Sequence, residues 1–254
     1  MRRARMTAAV AAVLLPIAAT GADDVWVSGR LERISAPSGV GGGGGLEWSH
    51  ADSPGRTVSL GFSGYGLPGT NWLTGRGAAT RSLGRTRVAA DLMAGHSSLE
   101  GGFFQVGGGA SHPLGSPRLV GDAEGHYLGG STARGTLVKA GLTFLPRPSL
   151  ILQGGYYQSF GGTLGSRLGA TKLVYIAGRH RYLVGGSFGR SSPSVLGIVD
   201  QQQTQSVRHA FAGATLPLAA GAELTIVLEH YDLDVANRTL LTLIWKMAHP
   251  QKGR

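Results

Sequence analysis

Leu240-Leu241-Thr242-Leu243-Ile244-Trp245 is the second of two apolar runs between Ala222 and Met247. The first is Leu224-Thr225-Ile226-Val227-Leu228, and Asp232 to Asn237 join them. In the second run Leu241, Leu243, Trp245 and Met247 share one parity, while Thr242 and Lys246 fall on the other. Successive strand side chains point to opposite faces, so this is a strand with one apolar and one mixed face. A last strand of this kind closes a sheet against its first strand.

The same alternation recurs upstream. Val25, Val27, Gly29 and Leu31 oppose Ser28, Arg30 and Glu32; Val58, Leu60 and Phe62 oppose Thr57, Ser59 and Ser63. Val88 to Ala94, Val138 to Phe144 and Leu150 to Phe160 repeat the pattern. Each segment is about ten residues, the length a tilted transmembrane strand needs. No helical period is sustained, because Gly or Pro interrupts nearly every window. Turn clusters punctuate the runs at Leu67 to Asn71, Ser131 to Gly135, Pro146 to Pro148 and Gly161 to Gly165. Ala110 to Pro117 and Ser191 to Gln205 read as longer loops. The Gly41 to Gly45 run lacks the strand–loop–helix context of a phosphate cradle, so it reads as a turn or a bare strand segment.

Composition narrows the class. Glycine reaches 43 of 254 residues, well above the usual ~7%, without a collagen period. Cysteine is absent, which excludes disulfides and thiolate metal sites. The formal charge of +10 becomes +7 once Arg2, Arg3 and Arg5 are set aside. The basic residues are scattered singly, not clustered as a nucleic-acid footprint requires.

Met1 to Ala22 reads as a secretory signal, with Arg2, Arg3 and Arg5 before an apolar stretch from Thr7 to Ala19 and small residues from Ala19 to Ala22. Its apolar run is about 14 residues, short of the ~20 a spanning helix needs. Cleavage is expected after Ala22 or Gly21, which leaves residues 23–254 as one domain.

The faces decide between a soluble and a membrane barrel. A soluble barrel fills its interior with large apolar residues, whereas here the non-apolar parity mixes Thr, Ser, Gly and single charges. Arg30, Glu32, Arg87, Asp91, Lys139 and Lys246 are therefore expected to face a lumen. Phe62, Phe144, Phe160 and Trp245 are expected as interface aromatics. Open edges cannot be hydrated in hydrocarbon, so the sheet must close. The expected fold is all-β: a single closed antiparallel up-and-down transmembrane β-barrel of about 12 strands (range 10–14) after a signal peptide. Thr239 to Met247 should pair antiparallel with a strand beginning near Val25. Strand glycines suit cross-strand aromatics, as at Gly154-Gly155-Tyr156-Tyr157.

The chain resembles the YaiO-type outer-membrane β-barrel proteins of Gram-negative bacteria. The resemblance runs loosely over Arg30 to Met247. It rests on Arg30-Leu31-Glu32, on Gly141-Leu142-Thr143-Phe144-Leu145-Pro146-Arg147-Pro148 leading into Gly154-Gly155-Tyr156-Tyr157, on Ala177-Gly178-Arg179-His180-Arg181-Tyr182 and on the terminal hairpin. It implies export and a barrel of about a dozen strands, with no established chemistry. Barrels of this kind usually end on an aromatic, whereas here Lys246 to Arg254 follow Trp245.

Function follows class. The expected location is the bacterial outer membrane, and the expected role is structural or pore-like for small solutes. Outer-membrane lipid and lipopolysaccharide, and the barrel-assembly machinery during insertion, are the expected partners. Neither nucleic acid nor a cofactor is implied. A lipid-modifying barrel enzyme is the alternative, with His96, Ser98 and Glu100, or Glu124, His126 and Ser131, as its candidates. Adjacent His96 and Ser97 point to opposite faces and fail. His180 and His230 stand alone and His209 has no second ligand at i+2, so no metal site is expected. A soluble exported all-β binding protein is the remaining alternative.

Overall fold

The computed structural model describes residues 22–35, 38–53, 55–67, 69–98, 101–130, 134–162, 165–191, 205–234 and 236–248. The signal segment, Glu100, Ser131 and the 192–204 connection lie outside the described residues. The alternating segments form fourteen strands: β1 (Ala22–Ser35), β2 (Ser38–Ser53), β3 (Arg56–Leu67), β4 (Thr70–Leu83), β5 (Thr86–Ser97), β6 (Gly101–Pro113), β7 (Leu119–Gly130), β8 (Gly135–Arg147), β9 (Leu150–Phe160), β10 (Arg167–Ala177), β11 (His180–Ser191), β12 (Gln205–Pro217), β13 (Glu223–Leu233) and β14 (Asn237–Ala248).

Each strand pairs with its sequence neighbours, and β14 pairs antiparallel with β1, so the sheet closes into a barrel. The seam runs from Asp24 opposite Ala248 to Ile34 opposite Arg238, with Val25 opposite Met247 and Leu31 opposite Leu241. The pairing expected of the last strand is thus present, and the strand number falls at the top of the expected range. Closure satisfies the edge hydrogen bonds that hydrocarbon leaves unmet. A 3-10 turn at Ala219–Gly221 is the helical element among the described residues.

One rim carries both ends of the barrel, at Ala22 and Ala248, and short connections such as 84–85 and 178–179. The opposite rim carries the long 192–204 connection. The expected loop at Ala110 to Pro117 is corrected: β6 continues through Pro113, and the connection is 114–118. Ser111 stays in register with Arg87 and Asp122, and Pro113 with Val120, so sheet pairing overrides the local turn composition. Gly41 to Gly45 is strand, in the middle of β2.

Outward positions are exposed and apolar, among them Leu31, Leu60, Phe62, Leu92, Val184, Leu228 and Leu243. The buried apolar residues are Ile34, Leu67, Leu168, Val207, Leu233 and Leu240. All six face inward at the loop-bearing end, where Leu168, Val207 and Leu233 pack with Tyr157 and Tyr231. The rest of the interior mixes charged and polar residues with half-buried apolar ones such as Leu183, Phe211, Val227 and Ile244. A soluble barrel inverts this distribution, whereas lipid outside and water inside require it.

Candidate functional site

The candidate site is the inner wall. Register places Arg30, Glu32, Arg87, Asp91, Lys139 and Lys246 on the inward parity of their strands. They do not form one cluster; they divide between two ion-paired networks and two smaller contacts.

The first network crosses the seam. Glu32 is 1% exposed and Arg238 is 3% exposed; the Arg238 Nε and the Tyr65 hydroxyl both donate to the Glu32 carboxylate. The Arg30 guanidinium lies 5.3 Å from the Tyr65 ring centre, and Arg238 lies 5.7 Å from that of Tyr231. Tyr231 stacks on His209 with centroids 4.1 Å apart, and the His209 Nε2 is 3.3 Å from Glu229. A buried carboxylate is tolerable only with such partners, because removing either charge leaves the other desolvated and unpaired.

Tyr65 reaches Glu32 because β2, which lies between them, is bare. Gly41, Gly43 and Gly45 occupy the inward positions opposite Glu32, Arg30 and Ser28. A Cβ at Gly43 would stand 2.7 Å from the Tyr65 Cα and 2.8 Å from its ring. The glycine run is therefore a trough that the tyrosine crosses.

The second network lines β5 to β8. Lys139 Nζ donates to Glu124 at 2.8 Å and pairs with Asp122 at 3.1 Å. His126 lies 3.5 Å from Asp91 and 3.7 Å from Glu124, with the Gln105 amide 3.2 Å from its Nδ1. Bare backbone recurs here. Cβ atoms at Gly109 and Gly141 would meet the Glu124 and Asp122 side chains at 2.6 Å, and one at Gly107 would collide with His126. At Gly155 the covering group is the Lys139 stem at 3.7 Å, not the aromatic expected from Gly154-Gly155-Tyr156-Tyr157. Tyr156 shares the outward face of Gly154 and Tyr157 the inward face of Gly155, yet neither ring is among the atoms nearest to where those Cβ atoms would stand.

Near the terminal rim Lys246 pairs with Asp24 at 2.9 Å, and Arg181 pairs with Glu223. Arg87 donates to Thr80 at 3.2 Å. Glu47, Arg76 and Lys172 complete the inward charges of the described strands, and carboxylates there equal Lys and Arg in number. The basic excess of the described residues therefore sits on the rims and the outward face. Sequence reasoning missed Tyr65, Asp122, Glu124, His126, His209, Glu229 and Arg238 as lumen residues. Extending the alternation through β3, β7 and β12 to β14 would have found them, since all share the inward parity.

Of the expected interface aromatics, Phe144, Phe160 and Trp245 are outward and near strand ends. Phe62 is outward but mid-strand, with its ring edge 3.4 Å from where a Gly75 Cβ would be. It covers bare backbone in the apolar band, the use aromatics find beside strand glycines.

The geometry tests the enzyme alternative. His96 faces outward and Ser98 holds the Asn71 amide at 3.0 Å. Ser187 Oγ is 3.4 Å from His209 Nδ1, whose other nitrogen faces Glu229. These are direct and diagonal neighbours on β11 to β13, where the strand amides are committed to the ladder. No backbone donors remain there for an oxyanion, the largest usual contribution to acyl transfer. Among the described residues no group of three His, Asp or Glu side chains is placed to hold a metal ion.

A closed antiparallel barrel with an apolar exterior and an ion-paired polar interior defines the membrane-barrel class to which porins belong. No family model and no curated protein matches the chain by sequence. Solved structures do share its fold. A CymD monoaromatic hydrocarbon channel superposes with TM-score 0.62 at 8% identity, over 91% of this chain and 88% of that one. The Acinetobacter baumannii outer membrane protein Omp33 gives 0.58 at 10% identity, over 90% and 100%. A KdgM porin gives 0.50 at 8% identity, over 87% and 98%. At these identities the likeness is one of fold.

Proposed function

We propose that the chain is an outer-membrane, porin-like channel that passes small solutes through a charge-balanced lumen, and that it is an exported barrel of the YaiO type. The observation that carries this reading is the inner wall itself. Fourteen strands enclose more space than the eight that side chains fill, and fewer than the 16–18 of open porins. The wall of that space is lined by ion pairs, and the cluster of fully buried apolar residues lies at the loop-bearing end. Equal numbers of inward cations and carboxylates favour weak ionic selectivity, so size and the local fields of the two networks do the sorting. Outer-membrane lipid and lipopolysaccharide surround the barrel, and assembly machinery inserts it. No reaction is assigned to it.

Planar-bilayer recording of the refolded chain tests the proposal. Stepwise conductance with a reversal potential near zero in a salt gradient is expected. A barrel that inserts and shows no steps at any voltage removes the channel role.

A further inference from the structure

Outside the lumen, Arg167 of β10 and Arg190 of β11 are direct cross-strand partners at the loop-bearing end. Both face outward and are exposed. Like charges directly opposite each other destabilise a sheet, and neither guanidinium has an ion pair among the described residues. Gln158 and Ser206 flank them in the same row.

One row nearer the termini, on the same face, Phe188 stands beside Arg208. Phe188 is 70% exposed and Tyr156, across Gly169 from it, is 49% exposed. Asp232 is the register partner of Arg208. Asp234 accepts the Ser206 amide at 2.7 Å. Asp232 lies one row away, and Asp234, in line with the Arg167–Arg190 row, is two strands from Arg190.

We propose that Arg167 and Arg190, with Arg208 beneath them, bind the phosphorylated headgroup of a lipid in the leaflet at the loop-bearing rim. An acyl chain of that lipid lies along Phe188 and Tyr156. Paired guanidinium forks match phosphate oxygens, and a bridging phosphate converts an opposed like-charge pair into an attractive one. The aromatic row below places the boundary between headgroup and hydrocarbon at the level of the patch. A free anion would gain nothing from those rings, which is why a lipid fits better than inorganic phosphate. This inference rests on the membrane-barrel reading given above.

Retention of diphosphoryl lipid A by the detergent-purified full chain, measured by native mass spectrometry, tests it. Dephosphorylated lipid A, inorganic phosphate and the variants R167Q/R190Q, F188A and R33Q complete the set. Arg33 is an outward rim arginine on β1 and controls for net charge. The wild type and R33Q are expected to retain the phosphorylated lipid, R167Q/R190Q to bind it about tenfold or more weakly, and F188A to lose part of the affinity. Equal retention by R167Q/R190Q overturns the proposal, as does equal retention of the dephosphorylated lipid or equal competition by inorganic phosphate at matched concentration. A heat-modifiability gel and liposome insertion separate the two readings. A chain that does not insert overturns both, whereas an inserted chain indifferent to lipid phosphate overturns only this one.

Discussion

Tyr65 on β3 donates its hydroxyl to Glu32 on β1, although β2 runs between those strands. Strands two apart lie roughly 10 Å from each other, so the contact exists only because the inward face of β2 carries glycine at positions 41, 43 and 45. The same device supports the acidic wall, where Glu124, Asp122 and His126 lean over Gly109, Gly141 and Gly107. Glycine in this barrel is a means of letting long polar side chains lie flat along the wall.

Gly43→Val should therefore disrupt more than its own strand. The added methyls meet the Tyr65 Cα and ring, both under 3 Å from the new Cβ, and Tyr65 must leave Glu32. Overpacking of this kind costs about 1–3 kcal/mol. Urea unfolding of the refolded barrel should show that loss for Gly43→Val and little change for Gly29→Ala, where nothing lies within 4 Å of the new Cβ.

Glu32→Gln should be more damaging than Tyr65→Phe. The first removes the charge that faces Arg238, itself 3% exposed, and breaking a buried pair costs about 3–5 kcal/mol. The second removes one hydrogen bond to a charged group, about 1.5–3 kcal/mol. Unfolding curves in the same detergent give the order, and a reversed order would mean that Glu32 is hydrated in the native state.

The alternation of the last strand, the closure it implies and the dominance of strand among the described residues were legible in the sequence, because a period of two survives wherever one face meets lipid. The inward parity of the six charges on β1, β5, β8 and β14 followed from the same alternation. The networks did not. Whether Arg238 meets Glu32 depends on register between strands at opposite ends of the chain, and whether Lys139 meets Asp122 on the register of the β7–β8 hairpin; no local pattern encodes either. Ala110 to Pro113 misled for the reverse reason: a loop-like composition continues a strand when both neighbours hold it in register.

Lys139→Glu should turn the lumen cation-selective. Lys139 sits between Asp122 and Glu124, and reversing it leaves Asp91, Asp122, Glu124 and the new carboxylate on one wall. A unit charge at 4 Å in water is worth about 1 kcal/mol, roughly fivefold in local cation concentration. Reversal potentials across a potassium chloride gradient should move toward the potassium value. Glu124→Gln should move them the other way, and identical potentials for all three proteins would place conduction elsewhere.

Neighbouring positions in β14 give the sharpest test of which face meets lipid. Leu243 points outward beside Gly29 and Ile226, while Ile244 points inward beside Ser28 and Thr225. A lysine on the lipid face costs about 2–4 kcal/mol at the bilayer midplane, whereas one in the lumen stays hydrated among those hydroxyls. Leu243→Lys should insert poorly into liposomes and lose heat-modifiable mobility, and Ile244→Lys should insert like the wild type. A barrel turned inside out, with a soluble exterior, would reverse the pair: Leu243→Lys would be harmless, and Ile244→Lys would bury a charge.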